Sequence, residues 1–227
     1  MKTLAILLFA FSLYLLPNPT HSAFNPIRLP IRLPTADAAV ASDNTPVVDT
    51  DGNELRAGET YYITSIETPH SASAGVQLAW LNSTAQCASN VVVSRCFSFG
   101  DPIRVRPTDP NAAVVLPSKF LSFEFSVSTP RVCASSVYWG IQYDRPSQQF
   151  FLNSGEFVSD LSGQFKIEAR GDPNNYRIDY CPFGGHKCYH VDLNFDESAR
   201  AVRWVLSENS FLPVLFRKTR NCLDFTL

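Results

Sequence analysis

Twelve short runs of β-branched and aromatic residues, set apart by turn signals every ten or so positions, constrain this chain more than any other feature. They are Tyr61–Glu67, Val76–Leu81, Asn90–Ser94, Ile103–Arg106, Phe120–Val127, Val137–Tyr143, Phe150–Leu152, Gln164–Ala169, Tyr176–Tyr180, Tyr189–Val191, Arg203–Leu206 and Val214–Phe216. Such residues suit a pleated, half-buried surface. Gly100-Asp-Pro102, Asn153-Ser-Gly155, Gly171-Asp-Pro173 and Gly184-Gly185 punctuate the runs with turn-forming chemistry. No long apolar period of about 3.6 residues accompanies them. The chain reads as all-β, a sandwich or a barrel, and the spacing alone does not choose between the two.

The segment Val47-Val-Asp-Thr-Asp-Gly-Asn-Glu-Leu-Arg-Ala-Gly-Glu-Thr-Tyr-Tyr-Ile63 opens the pattern. Asp51-Gly52 accepts the positive φ of a tight turn, so the segment predicts a hairpin-like strand, turn and second strand.

The residues before it belong to a different regime. Lys2 precedes an apolar run from Leu4 to Leu16 that is broken only by Ser12. The run is shorter than the roughly 20 residues of a membrane helix and fits a secretory signal. Residues 1–22 are read as the signal peptide, with Thr20, Ser22 and Ala23 as small residues near cleavage. Residues 23–40 are read as a propeptide, in which Ile-Arg-Leu-Pro occurs twice in tandem. Prolines 26, 30 and 34 favour an extended, exposed peptide there. The mature domain is expected to occupy 41–227 and, with no further apolar span, to stand free of the membrane.

From Ala41 onward there are 16 Lys+Arg against 20 Asp+Glu, a net charge of −4. That modest acidity excludes the basic patch of a nucleic-acid binder. About 185 residues suit one domain with a sizeable core. One sequon, Asn82-Ser-Thr84, makes Asn82 a glycosylation candidate.

Asp49-Thr-Asp-Gly52 through Leu55 and Tyr61-Tyr-Ile63 closely resembles the first motif of the soybean-type Kunitz inhibitor family. Val137-Tyr-Trp-Gly-Ile-Gln-Tyr143, Gly155-Glu-Phe-Val-Ser-Asp160, Gln164-Phe-Lys-Ile-Glu168, Tyr176 with Tyr180-Cys-Pro182, Lys187-Cys188 and Arg203 with Leu206-Ser207 extend the likeness. Several of these are similar to the sporamin-like storage branch. The resemblance implies a β-trefoil: three four-stranded units, near 46–107, 108–162 and 163–218, forming a short barrel capped by hairpins. It also implies a storage and defence protein of the plant vacuole with trypsin-type serine endopeptidase inhibition as its family activity. Asn25-Pro26-Ile27-Arg28-Leu29-Pro30 resembles a vacuolar sorting signal, which implies a sorting receptor as a partner and passage through the secretory pathway. A monomer is expected. Two other classes stay open: a dedicated inhibitor acting through a non-standard loop, and a non-inhibitory trefoil that binds carbohydrate or another ligand.

Six cysteines in an exported chain read as a disulfide framework. The resemblance supplies two bridges, Cys87–Cys133 and Cys181–Cys188. Cys96 and Cys222 fall outside the family pattern, leaving an internal third bridge, an intermolecular link or two free thiols. Cys181, His186, Cys188 and His190 are candidate zinc ligands by type, but their spacing is not that of a common finger, and an oxidising route favours the bridge. No metal or cofactor is expected. Neither a Gly-x-Ser-x-Gly elbow nor a His-Glu-x-x-His or phosphate-cradling glycine loop occurs, so no enzyme is expected.

The resemblance places the inhibitory loop at Thr108, Asp109, Pro110, Asn111 and Ala112, after Ile103-Arg-Val-Arg-Pro107. Trypsin-directed members offer Arg or Lys there to the enzyme's anionic pocket. Here the resemblance puts Asp109 in that place, or a neighbour if the gap is placed differently; Pro110 follows it, and no basic residue lies between 107 and 118. Ala57 replaces the asparagine that braces the loop in soybean-type inhibitors, so the loop is expected to lose part of its pre-organisation. Arg95, Arg131 and Arg145 near turns, or Val114, Val115 and Leu116 for an apolar pocket, are the alternative contact residues.

Overall fold

The computed structural model describes residues 45–66, 74–94, 99–127, 132–133, 137–155, 164–182 and 185–218, all within 41–227, one of the two units into which the chain divides. Twelve strands occur among them: β1 (Thr60–Ser65), β2 (Val76–Ala79), β3 (Asn90–Val93), β4 (Ile103–Pro107), β5 (Leu121–Phe125), β6 (Val137–Asp144), β7 (Gln149–Gly155), β8 (Phe165–Ala169), β9 (Tyr176–Tyr180), β10 (Tyr189–Asp196), β11 (Ala201–Ser207) and β12 (Val214–Arg217). Each grows from one of the predicted runs. Among the described residues no helix is long and apolar enough to cross a membrane.

The pairings resolve sandwich against barrel. Strands β1, β4, β5, β8, β9 and β12 close an antiparallel ring, each paired with the next and β12 with β1. The hairpins β2–β3, β6–β7 and β10–β11 form the cap and touch one another through β3–β7, β7–β11 and β11–β3. Three repeats of barrel, hairpin, hairpin, barrel make a β-trefoil.

The third repeat begins at β9, not near residue 163 as the sequence suggested. Phe165–Ala169 pairs with β5 through Leu121↔Phe165 and so closes the second repeat. Gly171-Asp-Pro173, which reads like a turn inside a unit, is the junction between units. The opening segment also departs from a plain hairpin. Val48 bridges Glu54 across the Asp51-Gly52 turn, but Thr60–Ser65 pairs with β12 and β4 instead. Gly58, at φ +77°, turns the chain between them and donates its N–H to Val105 O at 2.8 Å.

Period-two burial fills the barrel. Tyr61 and Ile63, Ile103 and Val105, Phe123, Phe165 and Ile167, Ile178, and Val214 and Phe216 all point inward and are almost fully buried. Trp139 from β6 and Trp204 from β11 seal the cap end. Trp139 sits 4.5 Å from the Phe123 ring and 6.4 Å from Trp204, in the tilted geometries aromatic quadrupoles favour.

Two disulfides are present among the described residues. Cys87–Cys133, with Cα atoms 5.5 Å apart, joins the loop after β2 to the segment before β6. Cys181–Cys188 closes the turn between β9 and β10. Cys96, Cys222, Arg95, Arg131, residues 1–22, and 23–40 with the Asn25–Pro30 peptide lie outside the described residues.

Candidate functional site

The loop between β4 and β5 is built from its base upward. Glu124 of β5, nearly buried, accepts from Arg104 at 3.3 Å and from the Arg106 Nε. The two cations that lead into the loop are thus turned toward β5. At the mouth, Thr108 donates to Phe120 O through both its N–H and its hydroxyl, each at 3.0 Å.

The tip is a closed turn. Ala112 N–H donates to Asp109 O at 3.2 Å, and the Asp109 carboxylate accepts from Asn111 N–H at 2.9 Å. Asp109, Pro110 and Asn111 are exposed. Proline presets φ for the second position of such a turn, and aspartate at the first accepts the hydrogen bond two residues on. The sequence Asp-Pro-Asn therefore specifies a turn.

The far side of the loop is fastened to the opening segment. Ala57 N–H donates to Ala113 O at 3.1 Å, Arg56 bridges Val114, and Val115 N–H donates to Leu55 O at 2.8 Å. Val47 N–H in turn reaches Val115 O at 2.9 Å. A main-chain ladder from residues 47–57 holds residues 113–115, the far base of the loop. Val115 is consequently buried and offers nothing to an enzyme pocket.

That brace is itself fastened by groups the sequence reading passed over. Buried Asp49 accepts from Asp51 N–H and Asn53 N–H, both at 2.9 Å. The Tyr176 hydroxyl accepts from Val48 N–H, and the Tyr61 hydroxyl from Arg56 N–H, each at 2.8 Å. Burial pushes both phenols above their ordinary pKa, so they remain neutral donors and acceptors. The signal available in sequence was the Asx turn of Asp49-Thr-Asp-Gly52; Tyr176 is 128 residues from its partner.

The other candidates are scattered. Arg145 lies exposed at the tip of the β6–β7 hairpin, where Asp144 accepts from Ser147 N–H at 3.0 Å and its hydroxyl at 2.6 Å. Asn82 is exposed between β2 and β3. His190 Nδ1 lies 2.8 Å from buried Asp179, whose two oxygens also accept from Arg177 at 2.7 and 2.8 Å. This cluster ties β9 to β10. Among the described residues no group of three or more His, Cys, Asp or Glu is placed to hold a metal.

The fold and this loop can be set beside known proteins. The sequence profile of the legume-type Kunitz family, described as trypsin and protease inhibitor, matches residues 47–218. The chain belongs to this family. Sporamin B of Ipomoea batatas is 49% identical over 218 residues, covering 95% of this chain and 98% of its own. Sporamin A of the same plant is 45% identical over 220 residues, with the same two coverages. The Kunitz barrel is also similar to a chain in the orthorhombic complex of porcine pancreatic trypsin with soybean trypsin inhibitor. There the TM-score is 0.64 and the identity 28%, covering 77% of this chain and 99% of that one. The protein is a sporamin-like Kunitz β-trefoil.

Proposed function

We propose that this chain is a vacuolar storage and defence protein, non-catalytic, in which the β4–β5 loop is not a trypsin site. The Asp109–Ala112 turn carries the reading. A protease aligns an inhibitor loop as an extended strand and rewards its pre-organisation. Here the tip is folded back on Asp109, and a carboxylate stands where a cation would enter an anionic pocket, a like-charge juxtaposition that selects against binding. The sporamin likeness over 95% of the chain supports storage as the main role.

Delivery to the vacuole is assigned to the secretory leader and the Asn25–Pro30 peptide with its tandem copy. Altering Ile27 and Ile31 together is expected to divert the protein to the cell exterior; unchanged vacuolar delivery would contradict the assignment. For storage, the protein in vacuoles of storage tissue is quantified through sprouting. A fall in step with bulk reserve protein is expected, and a constant level would contradict it.

One observation favours a second reading. Arg145 is exposed on the β6–β7 turn, and a cation so placed suits inhibition by a non-standard loop. Titrating trypsin with the oxidised mature protein and with its Arg145→Ala variant tests this reading, and stoichiometric inhibition that the variant loses would move defence ahead of storage.

A further inference from the structure

We propose that the cleft between the β2–β3 and β10–β11 hairpins binds a small carboxylate with an apolar, ring-sized body. The cleft follows from strand length. Strand β2 has four residues, whereas β10 has eight and β11 seven. Strand β11 pairs with β3 at Arg203↔Val92, and residues 195–202 run on past that point to the hairpin tip. The long hairpin thus extends beyond the short one, and an open cleft of about 720 Å³ lies between them. That size is within the range of small-molecule sites.

Its walls are apolar. Phe195 and Val202 face each other across β10 and β11 and are 55% and 39% exposed. Half-buried Ala79 and Val93 line the other side, on β2 and β3. Adjoining exposed apolar side chains of this kind mark a surface that something covers.

The polar groups in the cleft define the charge of that occupant. Arg200 lines it from the hairpin turn, and its guanidinium makes no hydrogen bond or ion pair among the described residues. Asp196, at the start of the turn, is already committed. It accepts from the Ser198 hydroxyl at 2.7 Å, from Ala199 N–H at 3.1 Å and from Arg203 at 2.9 Å. Glu197, the other carboxylate of the turn, does not line the cleft. Arg200 also takes φ +51°, a left-handed corner that glycine or asparagine fills at less cost. The turn needs that corner but not an arginine in it. Gln77 of β2 lines the cleft too, and its side-chain amide makes no hydrogen bond among the described residues. An apolar slot with one uncommitted cation and one uncommitted amide suits an apolar body that carries a single negative group. A neutral apolar ligand would leave the cation unused, and an inorganic anion would leave the walls bare.

Equilibrium dialysis tests this on the oxidised protein, purified from plant cells that express the full chain. The probes are cinnamate and cinnamamide, its neutral counterpart of the same shape. Saturable binding at one site per chain is expected, with cinnamate held about threefold more tightly, as for an exposed ion pair. Raising the salt should erase that margin. Phe195→Ser should weaken both probes by roughly tenfold. Arg200→Gln should bring cinnamate down to the level of the amide and leave the amide unchanged. Both positions are exposed, and near-ultraviolet circular dichroism checks that each variant keeps its native packing. No saturable binding by the wild type, or full binding by a folded Phe195→Ser variant, overturns the cleft. Equal affinity of the wild type for the two probes, or a preference for the acid that survives in Arg200→Gln, overturns the pairing with Arg200.

Discussion

The loop after β4 and the turn after β6 divide between them what an inhibitory loop must combine. Residues 108–116 are clamped at both ends, by Phe120 O on one side and by the 47–57 ladder on the other, yet their tip carries a carboxylate in a closed turn. The β6–β7 turn presents an exposed Arg145, but a single half-exposed carboxylate, Asp144, organises it. Rigidity lies in one place and the cation in the other. The comparison teaches that in this barrel main-chain clamping at the base of a loop and the chemistry of its tip are set by different residues. The brace persists because it is also core: Val47, Leu55 and Val115 are buried beneath it.

The largest effect should come from restoring what the braced loop lacks. Asp109→Arg together with Pro110→Ile removes both the Asx acceptor and the fixed φ, freeing the tip to extend between clamps that stay in place. Trypsin affinity should rise at least about 100-fold, or ~2.8 kcal/mol. An inhibition titration measures this, and no gain in a folded variant would mean that the brace does not pre-organise the tip.

Weakening the brace should act next. Asp49→Ala removes a buried carboxylate that satisfies two backbone donors and should cost ~2–3 kcal/mol in denaturant unfolding. It should also speed proteolytic nicking near residue 113. Tyr176→Phe leaves the Val48 N–H without its phenol and should cost ~1–2 kcal/mol. If nicking in both variants stays at the wild-type rate, the ladder and not its fasteners holds the loop.

Much of this architecture was legible in the residues. All twelve strand runs were visible, because a two-residue period with turn residues between survives in any register. Tyr189–Val191 continues as strand to Asp196, beyond the predicted run, because Asp192, Asn194 and Asp196 are half-exposed on a cap hairpin and dilute the apolar signal. The unit boundary was misplaced because turn chemistry marks that the chain reverses, not which strand it next meets. The brace was invisible for the same reason. Nothing local to Tyr176 says that its hydroxyl will meet Val48. The turn at the tip went unread too, although its signal is local: aspartate first and proline second are turn chemistry.

The smallest effects belong to the β6–β7 turn. Arg145→Ala should leave stability within about 0.5 kcal/mol of wild type and protease binding unchanged, as for a solvated charge. Asp144 is held below its ordinary 3.8 by the hydroxyl and then the N–H of Ser147. A carboxylate depressed in the folded state contributes above its unfolded value and loses that contribution as pH falls through the folded one. Asp144→Asn should therefore have its full effect above that ordinary value of 3.8, lose it progressively as pH falls further through the depressed folded value, and be silent in strong acid. Hydrogen exchange at Ser147 across an acid series would reveal it, and faster exchange on raising the pH from strong acid beyond the intrinsic trend would reverse the sign.

The central claim, a braced loop with a tip unfit for trypsin, is tested most directly by adding the oxidised mature protein to active-site-quantified trypsin. The account predicts full residual activity at micromolar excess of the wild-type chain. Stoichiometric inhibition that disappears when Thr108–Ala112 is replaced by an unrelated turn would contradict it.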